Sequence, residues 1–442
     1  MLDTSNRIQH QGFFKLGMDS IRSLEDENGI LASSREEMFG CVFGRDSAIT
    51  GLKLLRVYER TQDRYLTGLV RKILTSLSRL QGTSVNIESG EEPGKCIHEY
   101  RPTGHGHLTD PSRQINGNKP WYVYDDGVMR IYDTVDATPL MLILFWRYLT
   151  ASGDTAFMNV QENSIRQALY WLLTYADSNN DGLIDYRIHP DRRYGGLSTQ
   201  SWMDSAESVF LEDGDEKPSY PIAPLEVQGY AYMALRVWAN VYGQSDPKFS
   251  LVLDERADLL KREFQRFISY NDYGDLCVAP AIDGKGRVLG GARSSMGHLL
   301  WASVPGERPD CILDRKHLRA MVRRMMKPDL FDANSGIRTL SSTSKFFDAS
   351  SYHNGSVWAH DTAMVAEGLD NFGYGDHAEK LYGALLWAYQ HFQTPIEMFV
   401  SDENGLHEYS HGNGAKACRV QAWSAASMLD VASRTDLMAL LH

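Results

Sequence analysis

The sequence predicts an all-α protein, an (α/α)6 toroid in which six inner helices are ringed by six outer ones. Three observations carry that prediction. Apolar residues recur at helical spacing along twelve stretches, the connections between them are very unequal in length, and no Pro/Ser-rich linker or low-complexity tract divides the chain.

Taken in order, the helices fall near 5–26, 46–60, 62–81, 134–152, 160–177, 222–243, 248–271, 293–303, 312–326, 355–373, 376–392 and 418–431. Asp46 before Ala48 and Thr134 before Val135 are good N-cap types. Pro139 and Pro221 fall in first turns, where a missing N–H is tolerated. β-rich pieces around 121–133 and 273–290 read as hairpins inside connections rather than as a sheet.

Residue 61 and residues 374–375 suffice for two connections, whereas 82–133, 178–221, 327–354 and 393–417 are long. Long loops without regular structure in a compact domain are usually functional, and these hold most of the His, Trp and carboxylate clusters. Loops of that kind gathered at one end suit a toroid, and residues 1–442 read as one domain. An irregular helical array or solenoid is the alternative, but no sequence period supports one.

Composition narrows the function classes. Of 442 residues, 45 are basic and 57 acidic, a net charge of −12, so the basic face expected of a nucleic-acid binder is missing. The opening MLDTSNRIQHQ has no apolar signal-type region, and no run reaches bilayer-spanning length. Cys41, Cys96, Cys277, Cys311 and Cys418 are odd in number and scattered, which fits neither a metal cluster nor a disulfide framework. A reducing cytoplasm is the simplest setting.

Chemistry concentrates in a few stretches. In SWMDS, Trp202 stands beside Asp204: an indole face packs on the C–H face of a sugar, and a carboxyl group can protonate a glycosidic oxygen. The same stretch has a plainer reading as a solvated acidic loop, since residues 204–216 hold six carboxylates. Pro221 then opens a helix carrying Glu226 and Gln228. In FGRDSAIT, Arg45 and Asp46 precede a helix, and a guanidinium fork with a carboxylate matches two neighbouring sugar hydroxyls as well as it makes a structural pair. GKCIHEYRP and YDTVDATP supply His98, Glu99, Arg101, Asp133 and Asp136 as a candidate polar wall. His105 and His107, spaced H-x-H in a loop, are weak metal ligands and read as solvated. DSNNDGLID, Asp177 to Asp185, matches the first half of a calcium loop, but Ile188 stands where the bidentate glutamate belongs; such loops also serve as turns. SYHNGSVWAHD brings His353, Asn354, Trp358, His360 and Asp361 to a helix start, and TPIEMFVSDE places Glu397 in a long loop. No metal or cofactor is expected.

Together these stretches resemble the amylo-α-1,6-glucosidase family, the glucosidase part of glycogen-debranching-type enzymes, within the glucoamylase-like (α/α)6 glycoside hydrolases. The matching pieces are FGRDSAITGL, GKCIHEYR, YDTVDATPL, SWMDS, PIAPLEVQGYAY, RSSMGH, GIRTLSS, SYHNGSVWAHD, PIEMF and VQAWSAAS, in the family's order from residue 40 to 426. The resemblance implies an inverting α-glucosidase removing a terminal α-linked glucose from an oligosaccharide or small glucoside. Asp204 would be its general acid and Glu397 its general base, with Arg45 and Asp46 holding the terminal glucose. Departures are Met203 where lysine is common, Ala359 where proline is common, and a long loop 102–126, and they bear on the aglycone.

Inverting hydrolysis needs a protonated carboxyl on one side of the bond and a carboxylate holding water on the other, roughly 6.5–9.5 Å away. Partial burial beside Trp202 would keep Asp204 protonated. The alternatives are another glycosidase of this fold, such as an invertase, a trehalase or a hydrolase of glucosylglycerate-like solutes, or a non-catalytic sugar-binding module. The expected partner is a small carbohydrate, with neither nucleic acid nor membrane.

Overall fold

The computed structural model describes residues 4–434 apart from 114–117, 213, 215 and 412–414. Asp213 and Asp215 of the acidic stretch after Asp204 therefore lie outside the described residues. The fold is mostly helical: α1 (Thr4–Leu24), α2 (Gly44–Thr61), α3 (Arg64–Arg79), the single turn α4 (Gly106–Thr109), α5 (Ala137–Ser152), α6 (Thr155–Thr174), α7 (Leu225–Tyr242), α8 (Pro247–Glu263), α9 (His298–Trp301), α10 (Arg315–Met325), α11 (Ala359–Asn371), α12 (Gly375–Phe392) and α13 (Ala422–Ala432). Apart from the turn α4, each coincides with one of the twelve expected stretches.

Two kinds of helix alternate. All of α13 and most of α2, α5, α7 and α11 are buried on every side. By contrast α3 buries the stripe Leu66, Leu69, Val70, Ile73, Leu74 and Leu77, and α8 only Leu253, Ala257 and Leu260. The first kind is what a central helix needs and the second what a surface helix needs. The packing follows. α2 lies against α5, α5 against α7, α7 against α9, α9 against α11, α11 against α13, and α13 returns to α2. α3, α6, α8 and α12 pack outside α2, α5, α7 and α11; α1 covers α13, and α10 covers the 3-10 turn Ser294–Gly297 that leads into α9. The α9–α11 approach is close enough that a Cβ at Gly368 would sit 2.6 Å from the Trp301 amide nitrogen.

Several helix starts differ from expectation for one physical reason, while α6 begins earlier than expected, at Thr155, because Asp154 caps it. The residues just before several buried helices pair as short strands with distant loops. Ala223–Pro224 pairs with Ala281–Ile282, so α7 begins at Leu225 and Pro221 lies outside it. Val357–Trp358 pairs with Met398–Phe399, so α11 begins at Ala359. Val42–Phe43, Glu99–Arg101 and Met129–Ile131 form one three-stranded sheet, which draws the FGRD, IHEYR and 121–133 stretches together. Asp46 falls in the first turn of α2 rather than at its cap, and α5 begins three residues after Thr134. The stretch 293–303 is only a 3-10 turn and one helical turn, and 264–271 leaves the helix for a strand at Ile268–Tyr270. Among the described residues no helix is long and apolar enough to cross a membrane.

Candidate active site

Several of the central helices present their N-terminal ends to the chemistry. Arg45 and Asp46 lie in the first turn of α2, Trp358 caps α11, and Gln421 caps α13 with Trp423 just inside it. Helix N-termini carry unpaired N–H groups and a partial positive charge, which favours oxygen-rich ligands and carboxylates there.

These residues, with loops 202–204, 352–353 and 397, enclose a cleft of ≈ 350 Å³. Phe39, Phe43, Trp202, Tyr352, His353, Trp358 and Trp423 form its aromatic wall, and Arg45, Asp46, Asp204, Glu397 and Gln421 are its polar groups. The wall is held rigidly. Trp202 stacks on His298 at 5.9 Å and meets Trp358 edge-on at 5.7 Å, while Trp358 lies parallel to His353 at 5.1 Å.

Arg45 is the hub. Its Nε donates to Asp136 Oδ2 at 2.7 Å, Nη1 to Asp204 Oδ2 at 3.0 Å, and Nη2 to the Ser201 carbonyl at 3.0 Å. All three nitrogens thus bind protein, and the guanidinium orients Asp204 as well as facing the cleft. Asp136 is wholly buried and also accepts from Thr134 at 2.5 Å, whereas a quarter of the Asp204 side chain is exposed. Burial raises the Asp204 carboxyl above its ordinary range against the pull of Arg45.

Glu397 is placed differently. It is buried, its Oε1 accepts from the Tyr352 hydroxyl, and its Oε2 accepts from the Cys418 amide at 2.8 Å. Both donors favour the ionised form, but burial outweighs them and lifts the carboxyl to about 7. Asp46, whose Oδ1 accepts from Gln421 at 3.1 Å, is also pushed by burial to about 7, with Asp204 and Glu397 adding to the rise. Asp46, Asp136 and Asp204 therefore share the one Arg45 guanidinium, while Glu397 is held by neutral donors alone, and burial favours the protonated form of Asp46, Asp204 and Glu397.

The remaining residues named from sequence lie behind this wall. Gln228 is fully buried and spends its amide on Ile184 N, Ile184 O and Pro224 O, so it is a backbone tie and not a sugar ligand. Glu226 opens on a separate hollow with Tyr186 and Arg293, where burial raises it to about 7. His98 packs edge-on against Phe43, and Glu99 pairs with Arg101, which also donates to Met38 O. Asp133 holds Arg192 through two bonds of 2.7 and 3.0 Å. His360 stacks on Trp423 at 3.7 Å, Asp361 binds His298 at 2.7 Å, and Asn354 ties loops together. Tyr352, Gln421 and Trp423 are cleft residues that the sequence reading passed over, although each lies within a quoted motif. Phe39 and Phe43 carried no polar signal.

Asp177, Asp181 and Asp185 do cluster, with ligand atoms within 4.8 Å of one another. Arg266 sits 3.0 Å from Asp181 and Arg256 3.6 Å from Asp177, whose oxygens accept from the Asp181 and Gly182 amides. Two of the three carboxylates thus face a guanidinium, and the loop's own amides close it as a turn. His105 and His107 bond only locally, to Thr109 and Gly127 and to Gly104. A larger hollow, ≈ 770 Å³, lies among the C-terminal halves of the central helices, but its charged groups are already paired, Arg56 with Glu367 and Asp430, and Arg147 with Glu59.

Asp46, Asp204 and Glu397 brought into one aromatic-walled cleft, on a helical scaffold, have the chemistry a glycoside hydrolase needs, and the family match shows that class. The chain belongs to the mannosylglycerate hydrolase MGH1-like glycoside hydrolase family, whose model matches residues 125–419. The resemblance to amylo-α-1,6-glucosidases therefore holds at the level of glucoamylase-like glycosidases, and the family matched is the MGH1-like one. Among solved structures, the GH63 mannosylglycerate hydrolase from Thermus thermophilus in complex with Tris and D-glycerate is 12% identical over 95% of this chain and 99% of its own, with a TM-score of 0.65. The same enzyme in complex with glucose is 15% identical over 94% and 98%, with a TM-score of 0.62. A glycosidase point variant in complex with glucose is 14% identical over the whole of both chains, with a TM-score of 0.60. At these identities the likeness is one of fold. No curated protein matches by sequence.

Proposed function

We propose that the protein is an inverting hydrolase that removes a terminal α-linked glucose from a small glycoside, with Asp204 as general acid and Glu397 as general base, on an (α/α)6 barrel. The pairing of these two residues in one cleft is the observation that carries the reading. The closed cycle of central helices supports the barrel. The narrowness of the cleft, closed in by seven aromatic side chains, supports a small substrate. A glycoside with a small hydrophilic aglycone of the glycerate type fits that space better than a branched glucan, and the glycerate and glucose named for the similar structures agree with it.

In this mechanism Asp204 gives its proton to the glycosidic oxygen as the bond to the anomeric carbon breaks. Glu397 takes a proton from a water whose oxygen bonds to that carbon from the opposite face. Trp202 and Trp358 form the apolar floor against which the sugar rests, and Asp46 accepts from its hydroxyls. Proton transfer by a positioned group contributes roughly 10²–10⁴-fold. Asp204→Asn should lose about that factor on a glucoside with a poor leaving group but much less on glucosyl fluoride. Glu397→Gln should lose it on both, because each substrate needs an activated water. Retention of glucoside hydrolysis by Asp204→Asn would remove the acid assignment.

A further inference from the structure

Arg293 ends the glycine-rich approach to α9 and caps its 3-10 turn. It is 3% exposed, yet among the described residues no carboxylate lies in ion-pair contact with its guanidinium; Glu226, in the same hollow, Glu207 and Glu212 act on it only from further away. Its acceptors are instead the His353 carbonyl at 2.8 Å, the Ser208 carbonyl at 2.7 Å and Asn354 Oδ1 at 2.8 Å, with Met203 Sδ at 3.5 Å. The ring of Phe210 lies 5.3 Å from the guanidinium carbon. Burying a cation with no carboxylate in contact is costly, and an apolar side chain of similar volume often fills such a space at no loss of stability. Fold stability alone therefore does not account for an arginine here.

The four acceptors belong to two loops. Met203 and Ser208 flank the segment that carries Asp204, while His353 and Asn354 follow Tyr352, whose hydroxyl binds Glu397. Other contacts run along the same seam. Asn354 Nδ2 donates to the Glu207 carbonyl at 2.8 Å, His353 Nδ1 and Ser205 Oγ are 2.8 Å apart, and Ser208 Oγ donates to the Met203 carbonyl at 2.6 Å. Only the planar fork of arginine can join carbonyls from both loops at once, since a lysine presents its donors from a single nitrogen.

We infer that Arg293 is a positioning residue for glycoside hydrolysis: it fixes the loop bearing Asp204 against the loop that holds Glu397 through Tyr352, and so sets the acid's place on the glycosidic oxygen. This rests on the acid and base roles proposed above. A displacement of about 1 Å at a reacting group costs on the order of 10²-fold.

The test compares wild type, Arg293→Lys, Arg293→Ala and Asp204→Asn on a small α-glucoside and on glucosyl fluoride. Arg293→Lys should lower kcat on the glucoside about 10²-fold with KM changed less than about threefold. Its loss on the fluoride, which needs little protonation, should stay below about tenfold. Added guanidinium ion should restore part of the glucosidase activity of Arg293→Ala. A purely structural role lowers both substrates by one factor, that of the folded fraction, and leaves no guanidinium rescue; that result overturns the inference. So does a wild-type kcat for Arg293→Lys, or the failure of both variants to fold. If Asp204→Asn is inactive on the glucoside while Arg293→Lys is not, only the positioning role falls; if Asp204→Asn is active, the acid assignment falls with it.

Discussion

Replacing Arg45 by alanine should separate the fold from the chemistry, because this one guanidinium serves both. It holds Asp136, which is closed off from solvent, and Asp204, which faces the cleft. Removing one partner of a buried pair typically costs about 3–5 kcal/mol, because the other is left as an uncompensated buried charge. Unfolding entropy of about 2.1 cal/mol/K per residue, over 442 residues, makes each kcal/mol worth about 1 °C, so Arg45→Ala should lower Tm by about 3–5 °C. Adding Asp136→Asn removes the stranded charge while leaving a group that can still meet Thr134, and should recover roughly half of that loss. Activity should not follow. Asp204 has lost its orienting partner in both variants, so kcat/KM should remain down by at least about 10²-fold in the double variant. Differential scanning calorimetry at one scan rate, with kcat/KM on the same preparations, reads both effects. An Arg45→Ala protein of unchanged Tm, or a double variant that regains activity along with stability, would refute the reasoning.

Two further outcomes follow from individual contacts. Tyr352→Phe deletes a donor that favours ionised Glu397, so the Glu397 pKa, already about 7, should rise further. The acid limb of the kcat/KM profile then moves to higher pH, with a larger loss on the acid side of neutrality than on the basic side; an unmoved limb would dissociate Tyr352 from the base. Gln228→Leu strands two backbone groups, Ile184 N–H and Ile184 C=O, each costing about 1–3 kcal/mol, and should lower Tm by several degrees while leaving KM unchanged. A raised KM at wild-type stability would restore Gln228 to the sugar site.

The fold was largely legible because long 3.6-residue periodicity survives tertiary context. The errors are local and share a cause. Residues 223–224 and 357–358 carry helix-like patterns but are drawn into strand pairs with partners far along the chain, at 281–282 and 398–399, which no local window sees. More than half of the site was legible for a similar reason. Arg45, Asp46, Trp202, Asp204, His353, Trp358 and Glu397, seven of the twelve cleft residues, were found as polar or aromatic residues out of place in loops and helix starts. The same rule drew in Gln228, Asp136 and Asp361, since a buried polar side chain looks alike in sequence whether it holds a ligand, a backbone or a neighbour. Tyr352 and Trp423 failed the rule from the other side: an aromatic beside an apolar run reads as core until the fold shows which face is open.

The central claim is inversion by Asp204 and Glu397, and its most direct measurement is the anomer first released. Proton NMR of a fresh α-glucosylglycerate digest, recorded within the first minutes before mutarotation, should show β-glucose accumulating ahead of the α-anomer, and the signal should vanish with Glu397→Gln. Initial α-glucose, or an undiminished rate for Glu397→Gln, would contradict the account.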